Sequence, residues 1–246
     1  MARWLDRLKV SPDDTARWIL EKACPSVQLR TLTSVLERPA EDPEVGRARE
    51  GAANFKPAVT IARAQDETGT WLGKVLEFEV PNTSRKRGPG MVNQYLALVD
   101  YGWDGTHPII HCTQELLNRY LVEDPHVDLY ELRGYAGSNP EIDASLRWLM
   151  SFIAGALLSR SGYTDDPVLA ERAERLLVEL KEQYPETGPA DLYDGVIEIE
   201  EQGDFRRVRE RHLIPDMFLF YFLAWHPRFQ QDDARPVVAR VVDQLM

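Results

Sequence analysis

Cysteine is almost absent from this chain: Cys24 and Cys112 are the only two. Two isolated thiols inside helical patterns make no disulfide framework and read as small buried hydrophobes. Long apolar runs are missing too. The longest, Met217 to Trp225, has nine residues, under half of the roughly 20 that span a bilayer. The opening MARWLDRLKV holds no apolar stretch of the secretory kind. These absences lead to the expectation of a cytoplasmic protein without a membrane span. Positive charge is also short. Lys and Arg number 29 against 40 Asp and Glu, for a net charge of −11. A nucleic acid or an anionic membrane surface needs a basic footprint, so neither is expected as a partner. Strand patterns are few. VLEFEV from Val75 alternates over six residues, and VIEIEE from Val196 alternates as well. Both fall in connecting regions and predict no more than a short extended piece or hairpin.

What remains is an ordinary globular composition, 43% apolar and 28% charged over 246 residues, large enough to bury a sizeable core. A repeated form runs through it: an apolar helix, a short polar loop, a proline, then an amphipathic helix. The prolines are Pro43, Pro108, Pro167 and Pro236, spaced by 65, 59 and 69 residues. Proline suits the first helical position because it needs no N–H there. Asp42 and Asp166 precede two of them as good N-caps, whereas His107 and Arg235 are poorer ones. Two residues after each proline stands Val45, Ile110, Leu169 or Val238, and nine after stands Ala52, Leu117, Leu176 or Leu245. Seven residues is about two turns, so each pair shares one helix face.

The helix upstream of each proline is more uniformly apolar, with LTSVL from Leu32, LALV from Leu96, IAGALL from Ile153 and LFYFL from Leu219. A helix apolar on most sides is buried on most sides. Each pair therefore has an inner and an outer member. A further helix begins at Ser11 and Pro12, with Trp18, Ile19 and Ala23 as its expected buried side. The fold class is all-α: about four helical hairpins in a single domain over 1–246, arranged as a partial α/α toroid or a curved solenoid.

Three features carry a resemblance to a known family. The segment Gln65-Asp-Glu-Thr-Gly69-Thr-Trp71 matches the Gln…Gly-x-Trp end of the repeat motif of squalene–hopene cyclases. Tyr95-Leu-Ala-Leu-Val-Asp-Tyr-Gly, followed by a proline-started helix, looks like the prenyltransferase/squalene-oxidase repeat. The stretch from Trp18-Ile-Leu to Arg30-Thr-Leu-Thr-Ser-Val-Leu resembles the opening of many members of that group. The chain thus resembles the terpenoid cyclase and protein prenyltransferase superfamily. The resemblance implies an α/α-toroid fold, a Gln65 side chain bonded to a neighbouring helix end, and Trp71 stacked upon it. It does not bring the catalytic motifs. Asp13-Asp14, Asp165-Asp166 and Asp232-Asp233 each lack an acid of the cyclase or synthase strings and also fit helix starts or loops. No zinc set of the prenyltransferase kind is found, and no cofactor is implied.

The sharpest local feature is the Gly- and Pro-rich loop around Arg85, Lys86 and Arg87, three cations in an acidic chain. It could clamp a phosphate or carboxylate, or it is a solvated loop. Trp71, Tyr95 and Tyr221 are the aromatics singled out to line an apolar cavity beside it; aromatics on inner helices are also simply core. His107 and His111 stand four apart, a metal spacing without a third ligand nearby. Two further loops, residues 133–141 and the acidic 184–206, complete the regions where function tends to sit. The functional expectation is a cleft that binds a small apolar or anionic, isoprenoid-like ligand or a protein segment. The alternatives are an enzyme acting on an isoprenoid diphosphate and a helical-repeat interaction scaffold.

Overall fold

The computed structural model describes residues 12–76, 88–136, 139–185 and 217–243. Helices make up 70% of these residues, and no strand occurs among them. In chain order the helices are α1 (Pro12–Lys22), α2 (Pro25–Arg30), α3 (Pro43–Ala53), α4 (Lys56–Arg63), α5 (Met91–Asp100), α6 (Pro108–Leu121), α7 (Arg133–Ala136), α8 (Pro140–Arg160), α9 (Pro167–Gln183), α10 (Met217–Trp225) and α11 (Arg235–Asp243). The backbone divides into two compact units. One comprises residues 1–116 and 129–135, the other 117–128 and 136–246.

Proline and its capping residue set most helix starts. Asp42 accepts the Glu44 N–H at 2.7 Å, and Asp166 accepts the Val168 N–H at 2.8 Å. Asn139 does the same for Glu141 at 2.9 Å, opening α8 inside what read as a loop. His107 is the surprise: its Nδ1 accepts the Ile109 N–H at 3.3 Å, so an imidazole fills the place of the aspartates.

The shared-face positions behave as read in three copies. Val45, Ala52, Ile110, Leu117 and Leu169 are fully buried and Leu176 nearly so. The fourth copy is out of phase. α11 begins at Arg235, one residue before the proline, and buries Val237 and Val241, leaving Val238 half-exposed. Leu245 lies outside the described residues.

In the first unit, Leu29, Leu32, Val45, Ala48 and Ala52 form one apolar cluster, joined by Leu20 and Leu36. Trp18, expected on the buried side of α1, is 63% exposed, and Ala16 is the buried residue instead. Leu32 lies in a five-residue π-turn, Thr31–Val35, rather than a regular inner helix. The cause is local: Thr31 and Thr33 return their hydroxyls to the carbonyls of Val27 and Leu29 at 2.8 and 2.9 Å, which loosens the i→i−4 ladder. The described part of the piece expected over Val75–Val80, residues 75 and 76, forms no strand; isolated bridges join Gln65 to Trp71 and Trp71 to Lys74 just before it. Residues 77–80, and the second alternating stretch near Val196, lie outside the described residues. Cys24 and Cys112 are free and half-buried rather than core.

In the second unit, α8 is the inner helix, burying Met150 through Ser159. Its 21 residues have the length and hydropathy of a membrane span. Its main partner is α10, whose Phe222 meets Phe152 edge-on at 6.2 Å. α9 buries the stripe Leu169, Ala173, Leu176, Leu177 and Leu180, as its spacing requires.

Candidate functional site

Two places in the first unit gather unusual chemistry. The first is the turn after α4. Gln65 donates through Nε2 to the Ile109 carbonyl at 3.0 Å and to Thr113 Oγ1 at 2.8 Å, both in the first turns of α6. Thr113 passes its own proton to the Gly69 carbonyl at 3.1 Å. Gly69 has φ +81°, and a Cβ there would stand 2.9 Å from the Cys112 carbonyl, so no other residue fits. Trp71 is buried and donates its indole N–H to the Ile61 carbonyl at 2.7 Å, at the open end of α4. Asp66 sits beneath the turn and accepts from the backbone N–H of Thr68, Thr70 and Gly73 and from both threonine hydroxyls. Burial pushes its carboxyl pKa up, but those donors outweigh burial and hold it below the usual value.

Just beyond, Lys74–Leu76 takes over a job that a cap would do. The Lys74 and Val75 carbonyls accept the N–H groups of Met91 and Val92, both at 3.0 Å, in the first turn of α5. The residue before α5 is Gly90, which has no capping side chain; a Cβ there would fall 2.3 Å from the Leu76 carbonyl oxygen. On the same stretch, the Val75 and Leu76 N–H groups donate to the buried Glu131 carboxylate at 2.8 and 2.5 Å. The two flanks of residues 77–87 therefore lie side by side on a fixed base. Arg85, Lys86 and Arg87 themselves fall outside the described residues. Glu131 had no signal in the sequence beyond being an acid amid the apolar residues of DLYELRGY.

The second place is a cleft of about 240 Å³ among α1, α2, the π-turn and α3. Leu20, Pro25, Leu32 and Ala48 supply its apolar walls, and Gln28, Glu44 and Arg47 its polar ones. Gln28 is fixed by donating to the Leu20 and Ala23 carbonyls, both at 3.0 Å, which closes α1. The Glu44–Arg47 pair, 3.9 Å apart and exposed, is free to rearrange around an incoming group. α2 and α3 approach closely because Gly51 leaves no side chain against Pro25.

The aromatics singled out from the sequence are not in this cleft. Trp71 and Tyr95 are both buried in the first unit, Tyr95 with its hydroxyl 3.4 Å from Gln114 Nε2. Tyr221 is half-buried on α10 of the second unit. The histidine pair divides its work: His107 caps α6, with burial lowering its pKa against the pull of Asp104, while exposed His111 lies 3.5 Å from Glu115. Cys112 has its thiol pushed up by burial and by Glu115 and Asp66. Among the described residues, no three His, Cys, Asp or Glu side chains converge to hold a metal. The acid pairs serve the fold: Asp166 caps α9, and Asp233 binds Arg228 at 2.7 Å. The chain matches no family model, no curated protein and no solved structure.

Proposed function

We propose that the protein is a binding module whose cleft among α1, α2 and α3 takes a compact, mainly apolar group with a polar end. The observation that carries this reading is the cleft itself: about 240 Å³, with Leu20, Pro25, Leu32 and Ala48 facing Gln28, Glu44 and Arg47. That is below the roughly 300–1,000 Å³ of sites for drug-sized ligands, so it fits a small ligand better than a long isoprenoid chain. The π-turn that delivers Leu32 supports it, since such bulges recur at functional sites. Binding is favoured over catalysis because, among the described residues, the displaced carboxyl groups, Asp42, Asp66, Asp124 and Asp233, are drawn below their ordinary values by donors; a general acid needs the opposite. The toroid-like arrangement of the helix pairs belongs to the same proposal. Its support is local: Gln65 bonded to the start of α6 and Trp71 buried at the end of α4.

The test is native mass spectrometry of the full chain beside Glu44→Trp, which covers the cleft from an exposed position. An adduct on the wild type that Glu44→Trp lacks is the expected result; an empty wild type, or an adduct that survives the substitution, rejects the cleft as the site.

One observation favours a second reading, an anionic ligand at the Arg85–Arg87 loop. Glu131, Gly90 and the Lys74 and Val75 carbonyls bring the two flanks of residues 77–87 to one fixed base. Replacing Arg85 and Arg87 together by Ala lowers affinity for pyrophosphate, read by calorimetry, at least ten-fold if the loop is a site, and leaves it unchanged if not.

A further inference from the structure

His226 ends α10 and opens the 3-10 turn Pro227–Gln230. It is only 4% exposed, with Phe222 and Phe229 edge-on at 5.6 and 6.0 Å between ring centroids. Its Nδ1 accepts the Arg228 N–H at 3.2 Å. An acceptor nitrogen carries no proton, so the ring proton belongs on Nε2. Nε2 is buried and finds no hydrogen-bond partner among the described residues. An unpaired buried N–H is unfavourable, and half-buried Asn139 at the head of α8 shows that an amide oxygen makes the same kind of cap. What an imidazole adds is that the cap can be withdrawn by acid: a protonated ring is a donor at both nitrogens.

The cap holds more than one turn. Arg228, whose N–H it receives, sends its guanidinium to Glu174 on α9 and to both oxygens of Asp233, at 2.7 and 2.8 Å, ahead of α11. Lys181 of α9 meets the same Asp233 at 3.4 Å. Hydrogen bonds from Arg228, with the charges of Arg228 and Lys181, draw the Asp233 carboxyl down to about 2, although burial opposes them. Phe229 is buried beside the clamp. The cap therefore fixes the direction of the residue that ties α9 to the approach of α11.

The charged neighbours divide as follows. α9 offers Glu174, Lys181 and the buried Arg172, and α8 offers Arg160, whose guanidinium lies 4.0 Å from the Trp225 ring centroid. The turn offers Arg228. On the α11 side, Asp233 is held by Arg228, Arg235 pairs with Asp232 at 3.5 Å, and Arg240 donates to the Tyr184 carbonyl at 2.8 Å. α10 carries no charge between Met217 and Trp225, Tyr221 being its one titratable side chain.

We propose that His226 is an acid-operated latch: protonating its imidazole breaks the Nδ1 cap and releases the Pro227–Gln230 turn and α11 from α9. Burial lowers the pKa of His226, and Glu174 opposes this less strongly. The unfolded chain then binds the proton more readily than the folded one. Stability is complete above the ordinary value of 6.5 and declines as pH falls from there toward the lower folded value. His107 in the first unit offers the contrast. It makes the same cap, but it is only half-buried and lies beside Asp104, with its ring against Trp103 at 3.7 Å. Water reaches its protonated form, so less is released.

Amide hydrogen exchange of the full chain at pH 7.5 and pH 5, corrected for intrinsic rates, tests the latch. Peptides covering 226–243 lose at least ten-fold protection at pH 5, while those from α8 keep theirs. His226→Asn retains an oxygen acceptor without a titration and keeps protection at both pH values. Equal losses in the two proteins, or none in the wild type, overturn the proposal. Should the variant be unprotected even at pH 7.5, imidazole ¹⁵N chemical shifts of the wild type decide. An Nε2–H tautomer that titrates together with the exchange supports the latch, and a ring that titrates without it rejects the latch.

Discussion

Glu131 is a buried carboxylate whose partners are two backbone N–H groups, Val75 and Leu76, rather than a cation. Hydrogen bonds to a charged acceptor contribute about 1.5–3 kcal/mol, and losing the acceptor strands both donors. Glu131→Ala is therefore expected to lower unfolding stability in urea by about 2–4 kcal/mol. A loss under about 0.5 kcal/mol would mean that water replaces the carboxylate, and that the base of the Arg85–Arg87 loop is softer than it looks. Asp66 gives a separate pH signature. Its folded pKa lies below the ordinary 3.8, so its contribution is complete above that value and lost as pH falls through the folded value. Acid unfolding monitored from pH 8 to 2 should show that step in wild type and not in Asp66→Asn, well separated from the histidine window above it. At this scale the sequence was half legible. Gln65, Gly69 and Trp71 stood out as a motif because each has a distinctive type; Glu131 did not, because an acid that caps backbone N–H groups looks like any acid until the chain folds around it.

Helix starts were the most legible elements, since an N-cap and a proline act within one turn. Phase was less so. α11 slipped by one residue because burial of Ala234 and Val237 outweighed the preference for proline at the first position, and Trp18 turned outward because the side of α1 that packs is the one carrying Ala16, Ile19 and Leu20. Packing between helices was not legible at all. Gly155 of α8 is an example: a Cβ there would lie 2.9 Å from the Phe222 ring of α10. An aromatic ring in a packed core cannot step aside cheaply, so Gly155→Val is expected to cost about 1–3 kcal/mol. Gly46, exposed in the middle of α3 with nothing within 4 Å of its would-be Cβ, should respond oppositely. Gly46→Ala gains up to about 1 kcal/mol through helix propensity. Chemical denaturation of the two variants checks both signs, and a destabilised Gly46→Ala would show that space at this position is needed by something outside α3.

For the whole molecule, the division into two units makes a prediction about coupling. Glu131 belongs to the first unit and Gly155 to the second, and they share no bonding partner. Their substitutions should add within about 0.5 kcal/mol in the double variant; a larger interaction term in urea unfolding would mean that the units melt as one strained body. Composition and periodicity determined that the chain is helical, that Pro43, Pro108 and Pro167 start helices, and which stripe of α9 is buried, because these follow from backbone preferences and from one helix meeting one apolar surface. The net charge of −11 likewise needed no fold. Tertiary structure alone decided that Trp71 and Tyr95 are spent in the core, that the cleft belongs to Leu20, Leu32 and Ala48, and that a histidine caps a turn with no partner for its other nitrogen among the described residues. Each of these depends on which side chains from distant segments arrive at one place, and no spacing along the chain encodes that arrival.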